Sequence, residues 1–177
     1  MNLSKKLKNS KKGILFWITG FSGAGKTSIA NQIKKKIEKE FGPTLVINGD
    51  DLRRLFDLNN YDQNKRLVYG RYYCNFLKLI TDQKINVIFT VVGMFDELRK
   101  WNRKNIKNYL EIYIKTNIKK IIKIAKKKKI YKEANFKNIV GLNIKPELPK
   151  YPDITINNDF KKNINSLSSE LLKKILN

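Results

Sequence analysis

The sequence predicts an α/β domain in which a parallel sheet of about five strands carries helices on both faces. The strand candidates are short, unbroken apolar runs, not alternating ones, so both of their faces are buried. Between them lie segments whose apolar residues recur at helical spacing, as the crossovers of a parallel sheet require. Length adds a third observation: 177 residues suit one domain with its own core, and no internal repeat marks a second.

In chain order, Ile14 to Thr19 (ILFWIT) reads as a buried strand. Ile29, Ile33, Ile37 and Phe41 then repeat every four residues along one helix face, and Gly42-Pro43 stops that helix. Leu45 to Ile47 is a short second strand. Residues 63–82 read as a helix with Leu67, Phe76, Leu77 and Ile80 facing the core, and 85–92 (INVIFTVV) as a third buried strand. A helix is expected over 95–107, a fourth strand over Leu110 to Ile114, and a helix carrying Ile118, Ile121, Ile122 and Ala125 that runs out in lysines 126–129. The segment 127–152 has weak periodicity and contains Gly141, Pro146, Pro149 and Pro152. Ile154 to Ile156 is a short last strand and 160–176 a last helix. The expected organisation is a basic tail over 1–12 and one domain over 13–177, with a lid-like segment at about 126–152.

A single cysteine, Cys74, excludes an internal disulfide and fits a reducing compartment. No apolar run approaches the roughly 18 residues of a membrane span, and MNLSKKLKNSKK has no apolar stretch behind it for a signal peptide. A cytoplasmic protein with no membrane partner is expected. The net charge of +23 invites a polyanion reading. It is carried by 32 lysines against 6 arginines, spread along a chain rich in Asn and Ile, so it reads mainly as background and nucleic acid as an unlikely partner. A polyanionic substrate is its best specific use.

After the first strand comes Gly20-Phe21-Ser22-Gly23-Ala24-Gly25-Lys26-Thr27, which satisfies G-x-x-x-x-G-K-[ST], with Ser28 next in line. Glycines let successive backbone N–H groups converge on a phosphate. Lys26 reaches the β and γ phosphates, Thr27 takes a magnesium position, and the following helix adds its positive end. A buried strand before and an amphipathic helix after give the motif its proper context, so the domain is a three-layer P-loop NTPase fold expected to bind ATP with Mg²⁺. There is no room for the extra domains of a motor, and no N-K-x-D of a GTPase. A kinase of small molecules is the natural reading.

A second strand end, VINGDDLRR at 46–54, runs from apolar residues straight into Asp50, Asp51, Arg53 and Arg54. It reads as a site beside the cradle or as a solvated helix start. From residue 13 to about 160 the strand order and strand-end motifs resemble the adenylylsulfate kinases, which phosphorylate the ribose 3′-hydroxyl of adenosine 5′-phosphosulfate. The family's D-G-D-N-V-R stands in register with Asn48-Gly49-Asp50-Asp51-Leu52-Arg53. Its G-F-S-x-x-D-R resembles Asn60 to Arg66, its K-T-P resembles Lys115-Thr116-Asn117, and its G-L-Y-K-K-A and I-K-N-F-T-G-I-D resemble Lys129 to Ala134 and Phe136 to Asn143.

The resemblance implies roles. Asp50 would face the acceptor hydroxyl and the magnesium ion, as base or orienting carboxylate, with Lys26 as its catalytic partner. Arg53 and Arg66 would grip the anionic 5′ end of a nucleotide, where a planar fork suits paired oxygens. Tyr61 would stack on the acceptor base, though it reads also as a core aromatic. Tyr69, Val92 and Gly93 stand at acceptor-side positions, and Lys132, Leu142 and Asn143 would close over the acceptor. The lysines 126–129 would sit near the triphosphate or form a solvated helix end. A homodimer is compatible with the sequence, which does not set the oligomeric state.

The departures gather on the acceptor side. Asn48 and Asp51 stand where the family has Asp and Asn, Val91 to Asp96 replaces F-I-S-P-Y-R, and Val68 to Tyr72 replaces E-N-I-R-R. Gly93 lacks the hydroxyl that some relatives carry, and the R-D-P-K lid becomes Ala125 followed by lysines. The reaction reads as kept and the acceptor as changed. Family members in capsule modification act on cytidine 5′-diphosphoramidate, which keeps the layout of a nucleoside, a 5′ anhydride and a free 3′-hydroxyl. This acceptor is preferred, with Asp51 and Asp96 as candidate partners of its N–H; adenylylsulfate is the alternative. A polynucleotide-end kinase and a nucleotide sensor without turnover are the competing classes.

Overall fold

The computed structural model describes residues 7, 10–58, 63–124, 140–142 and 144–177. Five strands form one sheet: β1 (Ile14–Thr19), β2 (Thr44–Asn48), β3 (Asn86–Val91), β4 (Asn108–Lys115) and β5 (Ile154–Asn157). Their order is β2-β3-β1-β4-β5, and every pairing is parallel. The helices are α1 (Lys26–Phe41), α2 (Gly49–Leu55), α3 (Gln63–Asp82), α4 (Asp96–Asn105), α5 (Ile118–Ile124) and α6 (Ile164–Leu176).

Why β1 is a continuous apolar run is visible in its two faces. Ile14, Phe16 and Ile18 point into a core shared with α1 and α6, while Leu15 and Trp17 point into a second core shared with α3 and α4. With side chains alternating across a strand, a central strand covered on both sides has no polar position to offer. Each fully buried side chain of this size contributes about 1.5–3 kcal/mol. Trp17, which packs on Phe89 at 5.1 Å between ring centroids, is the single residue whose loss would open the largest hole.

Helix α1 buries Ile29, Ile33 and Ile37 as their spacing predicts, and ends where Gly42 takes φ 94° and its N–H reaches the Glu38 carbonyl. On α3, Leu77 is fully buried and Leu67, Phe76 and Ile80 pack partly against the second core. Several boundaries shift from expectation. Strand β4 begins at Asn108, two residues before the apolar run, because Asn108 is buried and its amide donates to Ser10 Oγ (2.6 Å) and the Lys12 carbonyl (2.9 Å). The last helix starts at Ile164, where the side chain of Asn163 accepts from the Ser166 N–H at 2.8 Å. The expected tail is not featureless: Leu7 is buried in the first core.

Helix α4 is locked to β4 by charge. Buried Arg99 pairs with buried Glu111 at 3.3 Å, and Arg103 bridges Glu111 (3.0 Å) to Asp153 (3.1 Å). Removing one member would leave a buried charge uncompensated. Among the described residues no helix is long and apolar enough to cross a membrane. The carboxyl ends of all five strands meet at one rim, and the segments leaving that rim carry the residues singled out above.

Candidate active site

The loop after β1 is shaped by its glycines. A Cβ on Gly20 would meet the Ile114 carbonyl oxygen at 2.7 Å, so the loop can pass over β4 only without one. Gly25 adopts the left-handed region at φ 91° and caps α1 without any side-chain bond, and no acidic residue occupies the first turn. The amides at this helix end therefore have no built-in anion, which leaves them to a phosphate. Behind the loop, buried Asn158 donates from Nδ2 to the Ala24 carbonyl at 3.0 Å and accepts from the Phe160 N–H at 2.9 Å. Sequence reasoning missed this brace; the only signal was an Asn following a buried strand at the same rim.

Lys26 is buried, and its ammonium donates to the Phe21 carbonyl at 2.9 Å. Burial lowers its pKa to about 8, against the opposing pull of Asp50. The carboxylate of Asp50 is thus close enough to act on the lysine, although the two arise from different strand ends. Thr27 and Ser28 are exposed on the first turn of α1. The Phe21 ring packs in a small apolar cluster with Met94, Tyr113 and Ile121 and also lines a cavity at the rim.

VINGDDLRR does become a helix start, and one that belongs to the rim. Asp50 and Asp51 fill the first turn of α2, Arg53 and Arg54 its last, an arrangement that suits the helix dipole. Asp50 is exposed. Asp51 accepts from the Asn48 amide at 2.6 Å and pairs with Arg54, and the Asn48 bond is the main reason its carboxyl lies below the usual range. Asn48 in turn accepts from Thr90 Oγ1 at 2.6 Å, and Thr90 faces the Thr27 hydroxyl at 3.5 Å. Arg53 is partly buried, with Nη1 at 3.4 Å from the Leu58 carbonyl. Asp51 and Asp96, considered for a substrate N–H, are engaged within the chain, the latter by Arg99 and Lys100.

The remaining candidates distribute unevenly. Val92 is pinned by its carbonyl, which accepts from Thr19 Oγ1 at 2.9 Å. Gly93 is held at φ 25°, where a Cβ would meet Val91 Cγ1 at 2.8 Å and Trp17 Cζ2 at 3.1 Å. Tyr69 packs partly into the second core and Arg66 is partly exposed on α3. Leu142 is exposed beside Gly141, which lies against the Phe21 ring. Glu147 ties this arm to the loop before α4, its carboxylate accepting from the Asp96 N–H at 2.6 Å and its own N–H donating to the Met94 carbonyl at 3.1 Å. Tyr61, Lys132, Asn143 and the lysines 126–129 lie outside the described residues.

On the opposite flank of the cradle, over the ends of β4 and β5, a cavity of about 370 Å³ is lined by Phe21, Lys115, Thr116, Asn117, Lys120 and Asn158 among others. The rim therefore has three parts side by side: this cavity, the phosphate loop, and the Asp50-Arg53 helix.

Residues 12–157 match the adenylylsulphate kinase family. The chain is 32% identical over 163 residues to the cytidine diphosphoramidate kinase of Campylobacter jejuni, covering 91% of this chain and 95% of that protein. It is 33% identical over 162 residues to the adenylyl-sulfate kinase of Clostridium acetobutylicum, covering 88% and 78%. The fold matches that of the APS kinase CysC of Mycobacterium tuberculosis, solved in complex with AMPPNP and APS, with a TM-score of 0.80 at 21% identity over 95% of this chain and all of that one. With the phosphate loop, the parallel sheet and the acidic second strand end in place, the chain belongs to the adenylylsulphate kinase family of phosphotransferases.

Proposed function

We propose that the protein transfers the γ-phosphate of ATP to the ribose 3′-hydroxyl of a small nucleotide with a modified 5′ anhydride, cytidine 5′-diphosphoramidate being the preferred acceptor. The observation that carries the reaction is a buried Lys26 in the phosphate loop that feels the charge of exposed Asp50, which comes from a separate strand end. The preferred acceptor is supported by the Campylobacter relative, which matches over nearly its whole length. A role in capsule modification follows from that acceptor.

The loop amides from Gly20 to Thr27 and Ser28 would hold the β and γ phosphates, and the cavity over β4 and β5 would take the donor nucleoside. Lys26 would follow the charge that develops on the transferring group; bound oxygens would restore the proton that burial loosens. The helix amides without a side-chain cap and the exposed Thr27 hydroxyl, 3.5 Å from Thr90 Oγ1, fit a magnesium-bearing triphosphate, with Thr27 and Asp50 as the holding residues. Bound there, magnesium would neutralise the phosphate oxygens. Asp50 would orient the 3′-hydroxyl and accept its proton as oxygen meets phosphorus. Arg53, with Arg66, Tyr69, Val92 and Gly93 around it, would position the acceptor.

Adenylylsulfate is the second reading, supported by the relative from Clostridium acetobutylicum, 33% identical over 78% of that protein. The two separate in one experiment: ADP release with Mg·ATP and each acceptor offered alone. Turnover of cytidine diphosphoramidate with little on adenylylsulfate is expected. Turnover of adenylylsulfate alone would reverse the preference, and turnover of neither would remove both acceptors.

A further inference from the structure

We infer that Asn48 and Asp51 are a positioning pair that acts through Thr90 on the magnesium-binding hydroxyl of Thr27, and are not acceptor contacts. The inference rests on the proposed role of Thr27. Its structural basis is a polar chain that runs through α2, β2 and β3 and faces α1. Arg54 pairs with Asp51, Asp51 accepts from Asn48, and Asn48 accepts from Thr90. Thr90 then presents its hydroxyl to Thr27 across 3.5 Å. That last gap is longer than a hydroxyl–hydroxyl hydrogen bond, so Thr27 is in reach of the chain yet keeps its lone pairs for a cation.

Each link has a direction. The Asn48 amide has one oxygen and one nitrogen, and Asp51 can only accept, so Asp51 holds the nitrogen. The oxygen is thereby turned to Thr90, whose proton it takes. Thr90 is consequently oriented with its lone pairs toward Thr27 and α1. Without Asp51, the amide could turn over, offer N–H to Thr90 and reverse that hydroxyl. Thr90 is buried within β3 and Asn48 ends β2, so neither can compensate by moving. The chain also fixes the first turn of α2, and with it the position of Asp50.

The pair departs from the family's motif at both of its positions: Asn48 replaces Asp and Asp51 replaces Asn. Since the two side chains bond each other, the double departure is an exchange within one contact: one carboxylate and one amide remain. A carboxylate at both positions would set two like charges in hydrogen-bond contact.

The test is a cycle of N48D, D51N and N48D/D51N in the full chain. Its readouts are thermal stability, Mn²⁺ affinity of the ATP complex by electron paramagnetic resonance, and kcat and KM for the acceptor. We expect N48D to lower Mn²⁺ affinity and kcat by about 10- to 100-fold, the scale for groups that orient a metal ligand. D51N should lower both by a few-fold, because an amide oxygen still faces Asn48. The double variant should return both to within about threefold of the parent, with acceptor KM little changed throughout. A double variant no better than N48D would show that the two do not act as a pair. A raised acceptor KM with unaltered Mn²⁺ affinity in D51N would make Asp51 an acceptor contact and overturn the inference. If the parent protein binds no Mn²⁺ with ATP, the role of Thr27 falls first, and the inference with it.

Discussion

The two flanks of the rim are built on different principles. The flank proposed for the donor is made of backbone: glycine geometry at Gly20 and Gly25, helix amides, and a lysine buried under the loop, braced from behind by Asn158. The flank proposed for the acceptor is made of side chains on a two-turn helix and on loops, many of them exposed, and it holds its shape through polar links among themselves. Backbone geometry serves any nucleoside triphosphate, so one motif describes it. Side-chain constellations serve a particular acceptor and can be exchanged while the sheet beneath stays the same.

The sharpest way to break this comparison is to remove the donor lysine. Lys26→Ala is expected to cut transfer by about a thousandfold, the upper scale for one preorganised electrostatic group, measured by ADP release at saturating ATP. Asp50→Ala should cost at least about a hundredfold in kcat, with ATP affinity measured by calorimetry held within a few-fold; a near-normal rate would remove Asp50 from the chemistry. Arg53→Lys keeps the charge and loses the fork, so acceptor KM should rise by about tenfold while ATP KM stays put. Equal effects on both would erase the distinction between the flanks.

Asn158→Ala tests the brace. It leaves the Ala24 carbonyl and the Phe160 N–H without their partner, at a cost of about 1–3 kcal/mol in denaturant unfolding, and ATP KM should rise while acceptor KM does not. The smallest effect is a proton. With its pKa at about 8, Lys26 is half-protonated in the free protein at pH 8 and largely neutral by pH 9 to 10, and a triphosphate would recharge it. ATP binding in that window should take up a fraction of one proton, seen by calorimetry in buffers of different ionisation enthalpy, and Lys26→Met should abolish the uptake. The same shift makes the unfolded chain the better proton binder, so the penalty this lysine places on folding shrinks as pH rises from about 8 toward its ordinary 10.5.

The strand and loop from Ile14 to Thr27 are more fully legible in the sequence than the second strand end, for a physical reason. A buried central strand must be apolar on both faces, and a phosphate loop needs glycines at fixed spacing, so Ile14 to Thr27 announces itself. Asn158 was missed because an amide bracing a carbonyl obeys no spacing rule. Helix α2, offered by the sequence only as one of two readings of VINGDDLRR, has seven residues and so too little periodicity to declare itself, although its charges stand out. Asp51 bonds Asn48, three residues away on the chain, a pairing that no spacing rule announces. Polar residues state that a site is near without stating which way each one faces.

The all-parallel order of the sheet also sets when the site can exist. Strand β1 has no sequence neighbour to pair with: its partners are Val87 to Val91 on one side and Asn108 to Tyr113 on the other. The strand that launches the phosphate loop is made early, yet it gains its flanks only after most of the chain is available, and the Asn158 brace lies beyond even those. Non-local pairing of this kind folds slowly and leaves apolar edges open meanwhile. Nucleotide binding is therefore a property of the finished chain: shortened products that end before β5 would carry the whole loop motif and lack the support that holds it in shape.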